Sequence, residues 1–126
     1  MQVKTDTKEK FHVITVKEPL LTASMTEDLT ECLMPFLQKE VKNLVLVLKE
    51  VTDVEASLAR KLVELQQVFY EAGASFVICE LQSKVEDQLD KDEILELLNV
   101  TPTESEAWDI VQMEEIEREM FGDEPY

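Results

Sequence analysis

Glycine is almost missing from this sequence: its 126 residues include only Gly73 and Gly122. Loops that cradle phosphates need several glycines close together, because the backbone must come near the anion without a Cβ in the way. None of the patterns GxGxxG, GxxxxGK(S/T) or GxSxG occurs. That removes the commonest nucleotide-binding and hydrolase readings. Histidine is scarcer still, with His12 alone. Positive charge is short as well: 12 Lys and Arg stand against 28 Asp and Glu, a formal net charge of −16. Such a chain repels phosphates and has no basic patch from which counterions could be released, which excludes nucleic acid as a partner. Anionic membrane surfaces are disfavoured for the same reason. No apolar run approaches the roughly 18–20 residues that cross a bilayer. The opening MQVKTDTKEK lacks the apolar stretch of a secretion signal, so a cytoplasmic placement is expected. Cysteine is limited to Cys32 and Cys79, in apolar stretches 47 positions apart. Two buried free thiols are the expectation, with a disulfide as the alternative.

What the chain does contain is a core of ordinary size, with 44% apolar residues in a length that fits one domain. The clearest unit lies in the middle. Leu44 to Leu48 is a continuous apolar run, as expected of a strand buried on both faces. After the polar connection VTDVEAS, the residues Leu58, Leu62, Leu65, Phe69 and Ala72 draw one stripe down a helix. Gly73 supplies the stop, and Phe76 to Cys79 is a second buried-strand run. Strand, helix and strand in this order predict a βαβ unit with parallel strands and a right-handed crossover.

Upstream, Phe11 to Val16 reads as a strand, with Val3 to Thr7 as its edge partner. Ser24 or Thr26 is placed to cap the next helix. Leu29, Leu33, Phe36 and Leu37 form its stripe, and Pro35 is expected to kink it or end it early. Downstream, residues 83–89 suggest a short helix and Leu97 to Val100 a short strand. Pro102 and Thr103 open a last helix, with Glu106 completing a capping box and Ala107, Ile110, Val111 and Trp108 as its apolar positions. Residues 104–126 hold nine acids and one base, half of the net charge. We divide the chain into a domain over residues 1–113 and an acidic extension over 114–126. In that extension and just before it, Met113, Ile116, Met120 and Phe121 stand among glutamates at helical spacing. They would either pack on the domain or offer a helix to a basic-rimmed apolar groove.

The run from Asn43 to Leu81, NLVLVLKEVTDVEASLARKLVELQQVFYEAGASFVICEL, resembles a STAS domain, the small α/β domain of bacterial anti-sigma factor antagonists and of sulfate-transporter tails. The likeness extends without a gap through VKEPLLTASMTEDLTECLMPFLQKE and covers roughly residues 5–112. It implies an α/β fold: a single domain with a mixed, mostly parallel sheet flanked by helices, ending here in an acidic C-terminal helix. It also implies a non-catalytic protein that binds a protein partner, a kinase-like anti-sigma factor or another regulator. In that family a serine at the start of the second helix is phosphorylated by the partner kinase. Phosphate suits that place, because free N–H groups and the helix dipole face it. In this sequence the family's aspartate falls on Glu55, its phosphoserine on Ala56, the next hydroxyl on Ser57 and the following glycine on Leu58. The Gly and Asp that often follow the second strand fall on Glu18 and Leu21. Alanine cannot carry phosphate, so the resemblance implies a domain without the usual switch.

The switch-loop equivalent is therefore Glu55, Ala56 and Ser57. Asp53, Arg60, Lys61 and Glu64 are the candidate partner-binding residues around it. Ser57 reads most simply as the N-cap of helix 58–71. No cofactor and no metal is expected. Cys32, Cys79 and His12 lack ligand spacing, and His12 reads as a plain strand position. Asp87, Asp90, Asp92, Glu93 and Glu96 lack the glycine and the register of a calcium loop. The other reading of the chain is a structural or dimerisation subunit, in which a second copy is a partner.

Overall fold

The computed structural model describes residues 1–121, the side chain of Phe121 excepted. A five-stranded sheet runs in the order β1-β2-β4-β6-β7. Its strands are β1 (Val3–Thr7), β2 (His12–Val16), β4 (Leu44–Val47), β6 (Phe76–Cys79) and β7 (Val100–Thr101). β1 is antiparallel to β2, and the other neighbours are parallel. β4 and β6 pair Leu44 with Phe76 and Val47 with Cys79, as the βαβ reading requires. β3 (Leu20–Leu21) and β5 (Asp53–Val54) form a separate two-stranded parallel ribbon. The helices are α1 (Thr26–Leu33), α2 (Ala56–Glu71), α3 (Ser83–Lys91) and α4 (Glu104–Phe121).

The sheet separates two apolar layers because alternate strand residues point to opposite faces. Ile14, Leu44, Leu46, Phe76 and Ile78 meet Leu29 and Leu33 of α1, Leu58, Leu62, Leu65 and Phe69 of α2, and Val85 and Leu89 of α3. Val13, Val45, Val47, Val77 and Cys79 meet Ala107 and Val111 of α4. This explains the unbroken apolar runs: both faces of the central strands are covered. Phe69 meets Phe76 edge-on at 5.3 Å between ring centres. Cys32 packs with the first layer and Cys79 lies in the second. Both thiols are free, and Cys32 is only half-buried.

Several expectations shift by a residue or two, each for a visible reason. The helix α1 is capped by neither Ser24 nor Thr26. A 3-10 turn at Ala23–Met25 leads into it, and the Thr26 hydroxyl donates to the Ala23 carbonyl at 3.1 Å. Pro35 ends α1 as expected, and the chain continues as a 3-10 turn over Met34–Gln38. Ala72 leaves the buried stripe of α2 and is exposed. The Ala74 N–H donates to Phe69 O and the Gly73 N–H to Tyr70 O. That is a Schellman close, with Gly73 at φ +77°. The last strand is β7, not Leu97 to Val100. Leu95–Leu97 is a 3-10 turn, and the ladder begins where Asn99 O accepts from the Ile78 N–H. Thr103 caps α4 as expected, its hydroxyl accepting from the Glu106 N–H at 3.2 Å.

Candidate functional site

The segment 52–57 leaves the C-terminal end of β4 and enters α2. Its backbone is held against the chain after β2. The Thr52 N–H donates to Pro19 O at 2.8 Å, and the Glu55 N–H to Leu21 O at 2.9 Å. Val51 and Val54 are fully or almost fully buried and anchor the loop, while Thr52 and Glu55 face solvent. Gln88 of α3 braces the segment from the other side. Its side-chain amide donates to the Asp53 carboxylate and accepts from the Val54 N–H. Nothing in the sequence around Gln88 signals this role, because the partner lies 35 residues away.

The cap of α2 corrects the sequence reading. Glu55, in extended conformation, is the N-cap, and α2 starts at Ala56. Ser57 is therefore the second helical residue and is exposed. The ribbon β3–β5 decides this, since it holds Glu55 extended up to its own N–H. The Glu55 side chain does not cap α2. It reaches across to the 3-10 turn before α1 and accepts from the Ala23 N–H at 2.7 Å. The first N–H groups of α2 thus have no side-chain cap, while the nearest carboxylate is committed elsewhere.

Ser57 and Lys61 face Thr26, Glu27, Thr30 and Glu31 of α1 across an open cleft of about 480 Å³. Lys61 pairs with Glu64 at 3.1 Å on the exposed surface of α2. Arg60 is exposed and makes no ion pair among the described residues. The structure thus brings Glu55, Ala56, Ser57, Arg60, Lys61 and Glu64 onto one helix start, with Asp53 just before it and turned toward α3.

A sheet of this order, with its loop-to-helix junction after the second parallel strand, matches a known domain. The STAS domain family matches residues 2–107. The chain belongs to the STAS-domain family. Its fold is shared by several solved structures. The Thermotoga maritima protein TM1081 superposes with a TM-score of 0.75 at 19% identity, over 89% of this chain and 90% of that one. A serine-to-glutamate variant of RsbS from Moorella thermoacetica gives 0.70 at 18%, over 90% and 97%. The anti-sigma factor antagonist SpoIIAA, in its unphosphorylated form, gives 0.68 at 12%, over 89% and 97%. No curated protein matches in sequence.

The remaining sequence candidates are accounted for by packing. His12 is 3% exposed. Its ring is held by the Thr7 hydroxyl at Nδ1 (3.0 Å) and by Val41 O at Nε2 (2.8 Å), and it lies against Phe36. Among the described residues, no group of His, Cys, Asp and Glu is arranged to hold a metal ion, and no helix is long and apolar enough to cross a membrane.

Sequence reasoning missed the polar cluster below α4. Asn43 and Ser75, at the N-terminal ends of β4 and β6, are buried. The Asn43 amide donates to Glu115 at 2.8 Å and to Lys10 O at 3.0 Å. The Ser75 hydroxyl donates to Glu114 at 2.6 Å. Arg118 donates to both Asn43 and Ser75.

Proposed function

We propose that this chain is a cytoplasmic regulatory domain that binds a protein partner in the manner of anti-sigma factor antagonists, without the usual phosphoserine switch. One observation carries the reading: the helix start that would hold the phosphoserine carries Ala56, and its neighbour Glu55 is tied to Ala23. A loop braced by Pro19, Leu21, Ala23 and Gln88 is organised before it meets a partner, which lowers the ordering cost of binding. A phosphate arriving at Ser57 would face Glu55 on its own chain and Glu27 and Glu31 across the cleft, which opposes phosphorylation. The partner is a kinase-like anti-sigma factor or a related regulator, more basic than this chain with its net charge of −16. It engages segment 52–57 and the exposed side of α2, where Arg60, Lys61 and Glu64 lie.

The test is a tagged pull-down from the source lysate, read by mass spectrometry, with three baits: wild type, Ser57→Ala, and Arg60→Glu/Lys61→Glu. Wild type and Ser57→Ala are expected to retain the same kinase-like or sigma-linked protein, with no phosphate on Ser57. The charge-reversed bait is expected to lose it by about tenfold or more. Retention of that partner by the reversed bait would move the interface off α2. A phosphorylated Ser57 whose removal changes binding would restore a switch.

A further inference from the structure

The helix α4 is amphipathic in the inverted sense over its second half. Its first half packs conventionally: Ala107 and Val111 are fully buried against the sheet. From residue 113 onward, the side facing the sheet is polar. Glu114, Glu115 and Arg118 all turn inward to Ser75 and Asn43. Arg118 is the single base of residues 104–126, and it is turned to Asn43 and Ser75, so no cation of the helix stands beside the outer stripe. The opposite side carries Met113, Ile116 and Met120, which are 54%, 56% and 64% exposed. Their spacing of three and four residues puts them on one line. Asp109 lies on the same line one turn earlier, and Glu117 and Glu119 flank it.

Ordinarily, an apolar stripe turns inward and sets the roll of its helix. Here the buried hydrogen bonds fix the roll and leave the stripe outside. The stripe has no protein cover among the described residues. Methionines dominate it, and their flexible thioethers suit a surface that must fit another molecule. An apolar line whose charged neighbours on the helix are all carboxylates complements a partner that is apolar in its centre and cationic at its rim.

We infer that this face of α4 is a second docking surface, whose occupant is a basic amphipathic helical segment of another protein. It lies across the sheet from α2, so its occupant does not compete with a partner on segment 52–57. A second copy of this chain would bring two acidic helices together, and the charge disfavours that arrangement.

The experiment uses the full chain and a synthetic 18-residue Leu/Lys amphipathic peptide carrying a fluorophore, followed by anisotropy. A Leu/Glu peptide of the same pattern is the control. Wild type is expected to bind the Leu/Lys peptide one-to-one and to ignore the Leu/Glu peptide. Met113→Gln/Ile116→Gln/Met120→Gln alters only exposed positions, so its melting temperature should be unchanged while its affinity falls about tenfold or more. Arg60→Glu/Lys61→Glu should bind this peptide no more weakly than wild type. Equal binding by wild type and the triple glutamine variant would reduce the effect to bulk charge and overturn the proposal, as would no binding by wild type. Light scattering that finds a dimer in wild type and a monomer in the triple variant would assign the stripe to self-association instead.

Discussion

Cys79 shows how much one position can be set by its layer. It lies in β6 under α4 and is completely buried. Burial pushes its thiol up to about 12; Glu80 and then Glu104 add to the effect, and Lys49 opposes it. The protonated form is thus favoured by the fold. In the unfolded chain the thiol ionises near its ordinary value of 9.0. Above that value the unfolded state holds fewer protons than the folded state, so stability contributed by this group falls as pH rises from about 9 to about 12. Urea midpoints measured across that range should drop more steeply for wild type than for Cys79→Ala, and parallel curves would contradict this account. Below pH 9 a thiol reagent should label Cys32 in the native protein and reach Cys79 only after denaturation. His12 makes the complementary point. A lone histidine invites a functional reading, yet both of its ring nitrogens are engaged within the fold. Ser57 differs from both. Its exposure and its place in α2 follow from how the ribbon β3–β5 enters the helix, and no local residue pattern records that.

At the scale of elements, legibility followed the length of the apolar signal. β4, β6 and α2 were readable because unbroken runs and a stripe of five residues, four of them buried in the fold, leave little freedom. β7 was not, because a strand of two residues carries no periodicity. It is located by Asn99, whose N–H donates to Gln66 of α2. The start of α4 was legible from Thr103 and Glu106. The direction its second half faces was not, since the stripe of Met113, Ile116 and Met120 allows inward packing as well as an outward partner face, and the inward side is Glu114, Glu115 and Arg118. Asn43 is the hub of that cluster, accepting from the Ser75 N–H at 2.8 Å and reaching Lys10, Glu115 and Arg118. Asn43→Ala strips several buried partners at once and should cost about 2–3 kcal/mol. Chemical denaturation measures the loss. Hydrogen exchange should rise at residues 114–120 while the amides of β4 stay protected. A loss spread evenly over the whole sheet would deny the cluster its local role.

At the scale of the molecule, the sheet acts as a partition. Segment 52–57 and α2 are served by one apolar layer, and α4 by the other. A ligand on one side need not disturb the other, because the sheet, with β4 and β6 buried along their whole length, stands between them. The Leu/Lys peptide should therefore bind with the same affinity whether or not the partner captured through α2 is present. Competition between them would show that the two sides share a surface. The overall α/β class and the pairings of β1 with β2 and of β4 with β6 were legible because they follow from the alternation of apolar runs. The sharing of work between two faces was not, because it depends on which helix lies across which side.

The inward turn of Arg118 also shapes the electric field of the molecule. Residues 1–103 hold 19 acids and 11 bases, a net charge of −8 spread over 103 positions. Residues 104–121 hold seven acids and one base, and that base is turned toward Asn43 and Ser75. Negative charge is therefore denser along α4 than over the rest of the chain, which gives the domain an electrical asymmetry across its thickness. A cationic molecule diffusing nearby experiences a torque before any contact forms, and approaches with α4 turned toward it. Because salt screens that torque within about 8 Å at physiological ionic strength, the speed of encounter responds to salt more than the lifetime of the complex does.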